Sequence, residues 1–374
     1  MTSAHFDAIV IGLGGIGSAA CAALASRGVR VLGIDRHSPP HDRGSSHGAT
    51  RIIRRAYFEH PDYVPLVERA YRLWERLEQE TGRQLLTRCG LLQIGPGEGA
   101  VLRGVMASVT RHRLTAEKWT AAETRKHFPL FSFPDDWSAV WEPGAGYLAV
   151  EDCVAAQIES ARRHGAAFQL ETVVHGFRQT GSRVEVTTSA GEYQAEQIVV
   201  APGPWSPGVL SDTNLSLRVL RKQLHWFEAP SAFSVDAGFP TFLVDTPGGV
   251  FYGFPAIDER GLKVAEHTGG EEVGDPDEVS RELDDEDARR VAEFVGGCFP
   301  QCGQTRRDHA VCFYTMTRDE HFIIDRHPAM DRVHLAVGFS GHGFKFAPAI
   351  GEVLADRVTG SATELPVDFL RIRT

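Results

Sequence analysis

Asp7-Ala8-Ile9-Val10-Ile11-Gly12-Leu13-Gly14-Gly15-Ile16-Gly17 decides the fold. Asp7 to Ile11 reads as a strand buried on both faces, the signature of a parallel sheet. Ser18 to Arg27 continues as a helix of small residues, able to lie close to a sheet, and Gly28 ends it. Val29 to Ile34 is the next strand, closed by Asp35, 18 residues after Gly17. Each part has a physical task. Gly12 permits the tight turn, Gly14 admits a pyrophosphate to the backbone, and Gly17 lets helix and strand pack closely. The helix N-terminus offers unpaired N–H groups and a positive dipole end to phosphates. Asp35 can accept hydrogen bonds from a ribose. A strand, helix, second strand and terminal acid in this order point to a dinucleotide. They leave FAD and NAD equally open.

The chain has 374 residues, more than one hydrophobic core usually supports, so about two domains are expected. The formal charge of -10 argues against nucleic-acid binding, which needs a basic face. No apolar run approaches the roughly 20 residues that span a bilayer. The sequence enters a strand at Phe6 without a signal-peptide pattern, so a cytoplasmic setting is expected. Cys21, Cys89, Cys153, Cys298, Cys302 and Cys312 are then expected to be mostly free thiols. Cys298 and Cys302 are too far apart for a Cys-x-x-Cys pair, and no metal is implied.

Further along, the polar loop Pro40 to Arg51 is long for a mere connection, which suggests function. A helix is expected from about 61 to 80, with Val64, Val67, Tyr71, Trp74 and Leu77 on its apolar face. Others are expected near 121–127, over 150–164 and over 346–358. Short strands are expected at 167–175 and 183–187. The acid-rich stretch 271–290 reads as a solvated helical face. Residues 198–201 and 333–337 are further buried strands, and 216–310 alternates as antiparallel strands. Nucleotide-type strands thus lie at both ends and in the middle, with antiparallel material in two gaps. Two discontinuous domains follow.

The C-terminal region carries a lone cysteine in Val311-Cys312-Phe313-Tyr314-Thr315, then Asp319-Glu320-His321-Phe322-Ile323-Ile324-Asp325. Gly338-Phe339-Ser340-Gly341-His342-Gly343-Phe344-Lys345-Phe346 comes next, a glycine-rich turn whose lysine opens the last helix. Together with Pro39-Pro40-His41, His47-Gly48-Ala49-Thr50-Arg51-Ile52-Ile53-Arg54, Tyr252-Gly253-Phe254-Pro255 and Gly261-Leu262-Lys263, these motifs make a constellation. From Phe6 to about Gly360 the chain resembles the monomeric sarcosine oxidase and N-methyltryptophan oxidase group of flavin amine oxidases.

The resemblance implies a mixed α/β (α+β) fold. A Rossmann-like FAD-binding domain would comprise residues 1–85, 150–215 and 312–374. A discontinuous antiparallel-sheet substrate domain would comprise 86–149 and 216–311. It implies FAD held covalently by Cys312 through the flavin's 8α-methyl group. Gly12, Gly14, Gly17, Asp35, Arg36, Ser45, His47, Thr50, Gly341, His342, Gly343 and Lys345 would also contact the cofactor. Arg54 and Lys345 match a clamp on the substrate carboxylate, an arginine fork beside a lysine point charge. Lys263 and Arg51 match cations facing the flavin ring, where positive charge favours reduced flavin and oxygen activation. His267, Tyr314, Tyr252 and Leu243 match the substrate pocket, with His267 and Tyr314 placed beside the chemistry. Ala49, Ser46, the loop 256–260 and Leu243 depart from the family pattern, at the entrance and the pocket wall.

The implied activity is FAD-dependent oxidation of a secondary or N-methyl amino acid by O2, giving an imine or aldehyde and hydrogen peroxide. A cyclic imino acid such as pipecolate or proline is the alternative substrate, and an NAD(P)-linked dehydrogenase the rival built on the same glycine motif. The expected partners are a small amino acid and O2, with no nucleic acid and no membrane, on a monomer.

Overall fold

The computed structural model describes residues 5–373. Its architecture is mixed α/β, built on two large sheets. The first has eight strands, and its centre is parallel. His5–Ile11 lies between Val31–Ile34 and Gly191–Val200, with Ala167–Gln169 beyond Val31–Ile34. Met330–Val337 pairs in parallel with the end of Gly191–Val200. The antiparallel Val174–Thr180 and Arg183–Thr188 complete one edge, and Ile323–His327 pairs with Met330–Val337. The helices Gly15–Ala25, Tyr63–Thr81, Val150–Arg163 and Ala347–Thr359 share one core with this sheet. Close packing explains the small residues. A Cβ on Gly351 would lie 2.7 Å from the Ala19 backbone, and one on Gly17 would lie 1.7 Å from Gly12 O.

The second sheet has nine strands, mostly antiparallel, drawn from two stretches of the chain. Leu91–Pro96, Glu117–Thr120 and Trp137–Glu142 come from the first. Arg218–Phe227, Thr241–Thr246, Gly249–Phe254, Leu262–Glu266, Glu271–Val273 and Arg306–Met316 come from the second. Leu91–Pro96 joins the two groups by pairing with Thr241–Thr246. An aromatic core that includes Phe131, Phe242 and Phe299 backs this sheet. A third sheet of Thr50–Ile53, Gly146–Ala149 and Leu86–Thr87 ties the polar loop to the rest.

Three expectations need adjusting. Residues 271–290 are not one helix: Glu271–Val273 is a strand, and the helix is Asp285–Cys298. Gly274 and Pro276 interrupt any helical run, and Asp284 caps the later start by accepting from the Asp287 N–H. The stretch 167–175 divides into Ala167–Gln169 and the start of Val174–Thr180. A division of the chain at 312 falls inside the Arg306–Met316 strand, whose partner is Arg218–Phe227. Among the described residues no helix is long and apolar enough to cross a membrane.

Candidate active site

One cavity runs from the glycine turn to the last helix. At one end lie Gly12, Gly14, Asp35, Arg36 and Ser45, and at the other Arg54, Leu243, Tyr252, His267, Tyr314 and Lys345. Arg51, Cys312, Gly341, His342 and Gly343 line it as well.

The nucleotide end is built for a phosphate ester. Gly12 adopts φ +86°, and a Cβ there would sit 2.4 Å from Ala201 O. The helix Gly15–Ala25 begins without a side-chain cap, although Gly15 N–H donates to Ser46 Oγ at 3.0 Å. Asp35 is already oriented: Leu13 N–H donates to one carboxylate oxygen at 2.7 Å and His37 N–H to the other at 2.8 Å. Each oxygen keeps a lone pair for a ribose hydroxyl. These residues fit an adenine dinucleotide. In the same region Arg36 stacks over Trp205 and pairs with Asp277.

At mid-cavity Cys312 is 1% exposed, and Arg51 places a guanidinium nitrogen 3.3 Å from its Sγ. The same nitrogen donates to Ser45 O at 2.8 Å.

At the far end Arg54 is not a free cation. Its Nη2 donates to both carboxylate oxygens of Glu59, at 2.8 and 2.7 Å, its Nη1 donates to Ala56 O at 3.1 Å, and the guanidinium lies against the face of Tyr57. Burial alone would raise the Glu59 carboxyl. Arg54, His342 and Lys345 outweigh it and hold the group at about 2. Lys345 donates to His342 O at 2.8 Å and lies 3.5 Å from the Tyr57 hydroxyl. Burial first, and Arg54 next, push its ammonium down to about 7. His342 Nδ1 is 2.6 Å from the Tyr57 hydroxyl, and its Nε2 is 3.0 Å from Glu320 O. A carbonyl can only accept, so Nε2 carries the proton and Nδ1 accepts from Tyr57. His267 stands 3.4 Å from the Tyr314 hydroxyl, which is 3.4 Å from that of Tyr252. Burial lowers His267 to about 4, so it is neutral near pH 7.

Four expected residues do not line this cavity. Gly17 acts through packing. His47 is buried by the small second pocket that Glu151, Trp226 and Arg260 also line. Lys263 and Thr50 lie behind the polar loop. The Lys263 ammonium donates to Gly48 O, and to Thr50 O and Oγ1 at 3.0 Å each. Burial, then Arg51, lowers it well below the ordinary lysine value. Lys345 sits in the turn Phe344–Phe346 just before the helix rather than within it. The cavity also holds residues the sequence did not single out, Phe58 and Glu59 chief among them. Their only signal was position, four and five residues beyond Arg54. Nothing local shows that this segment folds back onto the arginine.

The family model described as FAD dependent oxidoreductase matches residues 7–357. Monomeric sarcosine oxidase of Bacillus sp. (strain B-0618) is 40% identical over 376 residues, covering 99% of this chain and 96% of its own length. N-methyl-L-tryptophan oxidase of Yersinia pestis (strain Pestoides F) is 38% identical over 354 residues, with 94% of each covered. Among solved structures, NikD, described as an unusual amino acid oxidase, aligns with TM-score 0.86 at 22% identity, over 98% of this chain and 97% of its own. L-proline dehydrogenase from P. horikoshii aligns with TM-score 0.86 at 22% identity, over 99% and 97%. At that identity the structural likeness speaks to the fold alone.

Proposed function

The chain belongs to the FAD dependent oxidoreductase family, and from that premise we propose that it is an amine oxidase of secondary or N-methyl α-amino acids, sarcosine-like, with O2 as acceptor. Overall, the amine and O2 become an imine and hydrogen peroxide. Water then hydrolyses the imine to a carbonyl compound and an amine, formaldehyde being the carbonyl product when an N-methyl group is oxidised. The observation that carries this reading is the joining, in one cavity, of a dinucleotide cradle, a buried cysteine beside Arg51, and a pair of cations at the far end.

FAD, when bound, would supply the two-electron acceptor that couples the amine to O2. Asp35 and the Gly12–Gly14 turn would hold its adenosine diphosphate, and Cys312 Sγ would be the covalent attachment to the flavin. Arg54 and Lys345 receive the substrate carboxylate. The incoming carboxylate competes with Glu59 for Arg54 Nη2, while Lys345 faces it with no acid among the described residues in direct contact. Neutral His267 and the Tyr314 hydroxyl offer hydrogen-bonding atoms to the rest of the substrate. A substrate bound as the free amine needs no side chain as base. Leu243, Phe58 and Ile52 supply apolar wall against water. The proposed working form is a monomer.

Peroxide release over a panel of sarcosine, N-methyl-L-tryptophan, pipecolate, L-proline and dimethylamine tests the reading. Turnover of at least one carboxylate-bearing amine, with dimethylamine very poor, is expected. Dimethylamine turning over as well as the amino acids would refute it.

A further inference from the structure

The Arg218–Phe227 strand is paired along one edge by two successive segments of a single chain. His225, Trp226 and Phe227 face Val264, Lys263 and Leu262, whereas Val219, Leu220 and Arg221 face Val273, Glu272 and Glu271. Between these stretches the strand has three residues, 222–224, and the opposing chain has six, 265–270. The surplus residues leave the ladder. This excursion carries His267 to the cavity wall, its own N–H donating to Val250 O at 2.7 Å on the other side.

The turn that follows has little stiffness of its own. Gly269 and Gly270 both have positive φ, +65° and +111°, and glycine is the residue with most conformational freedom to lose. Lys222 occupies the gap. Its side chain is 4% exposed, and its ammonium donates to Thr268 O at 2.6 Å and Gly269 O at 3.1 Å. It also stands 5.5 Å from the centre of the Tyr314 ring, and opposite Cys312 in register. The fit is close, since a Cβ on Gly270 would meet Lys222 Cδ at 3.0 Å. A buried lysine is costly to keep. Here it supplies donors to carbonyls that have left the ladder, and it touches the supports of two pocket residues at once. Behind the strand, Glu266 anchors the same turn by accepting from Thr268 Oγ1 at 3.0 Å and from Arg290 Nε at 3.0 Å.

We infer that Lys222 is a positioning residue for the substrate pocket, fixing the turn 267–270 and with it the side chains of His267 and Tyr314. The inference rests on the cavity being the site of amino-acid oxidation, and goes beyond it by naming what holds the pocket wall.

The test uses the flavin-loaded full-length protein and the variants Lys222→Met, Lys222→Arg, His267→Ala and the Lys222→Met/His267→Ala double variant, with sarcosine and N-methyl-L-tryptophan as probes. Lys222→Met should raise KM about tenfold, with kcat and flavin content little changed, and Lys222→Arg should recover most of the loss. In the His267→Ala background Lys222→Met should add little, because both changes act through the same turn and residues coupled in this way are not additive. Amide exchange in 266–270 should speed up in Lys222→Met, a readout that needs no turnover. Should Lys222→Met be insoluble, Lys222→Gln replaces it. Unchanged exchange there, fully additive losses, or a fall in kcat and flavin content with KM unmoved would each overturn the inference. Wild-type peroxide release on the same probes decides the functional reading separately.

Discussion

Replacing Lys345 with methionine separates binding from stability. Lys345 is 5% exposed, its ammonium donates to His342 O at 2.8 Å, and no acid among the described residues is in direct contact with it. Truncating one partner of a buried, hydrogen-bonded charge pair costs about 2–5 kcal/mol of binding. Arg54 remains, although shared with Glu59, which favours the lower part, about 2–3 kcal/mol, or about 30- to 160-fold in Kd. Stability should move the other way. Lysine keeps its proton up to about 10.5 when unfolded, but only to about 7 in the fold, because burial disfavours the charge. Between those values the unfolded chain binds more protons, so this group makes stability rise with pH across the window and lowers it at pH 7 and below. Lys345→Met removes that cost. At pH 7 its Tm should be no lower than wild type, and its stability should rise less between pH 7 and 10. The assay is titration of the flavin absorbance with (methylthio)acetate, a carboxylate that lacks an amine, beside thermal melts over pH. A change in Kd below threefold, or a Tm that falls in step with binding, would refute the reasoning.

The same carboxylate should bind wild type progressively more weakly above pH 7, by at most about tenfold per pH unit, as Lys345 loses its proton; a flat profile would exclude Lys345 from the clamp. Arg54→Met strands Glu59 in the interior, so it should cost about 3–5 kcal/mol of stability in denaturant melts as well as carboxylate affinity, unlike Lys345→Met. Cys312→Ser should release FAD on acid precipitation, where the wild type keeps its yellow colour in the pellet; colour in the wild-type supernatant counts against the attachment. Lys263→Met should slow the reaction of reduced enzyme with O2 about 100-fold in stopped flow while anaerobic reduction suffers less. A larger loss in the reductive step would refute that role for Lys263.

Local pattern settled the parts whose physics is local. Val10, Gly12, Gly17 and Asp35 each answer to a turn, a close approach or a strand end within one βαβ unit, so their order in the chain was enough to expect a dinucleotide. The motifs around Cys312 and Lys345 were long enough to place those residues by resemblance, and the cavity contains both. Helix 121–127 was expected as well, and in the structure Thr120 accepts from the Glu123 N–H while the Glu123 carboxylate accepts from the Thr120 N–H. What the sequence left open depends on residues far apart in the chain meeting. Glu59 reaches Arg54 Nη2 only because the segment after Thr50–Ile53 folds back over the cavity. Lys263 looks like any strand lysine until Gly48 and Thr50 close over it. Lys222 gains its partners from a register mismatch between strands some 50 residues apart in the chain. The sequence by itself therefore determined the fold class and named most of the side chains that the cavity gathers. Only the tertiary structure decided which of those charges are free and which are already paired, because pairing in the interior depends on distance, burial and register rather than on residue type.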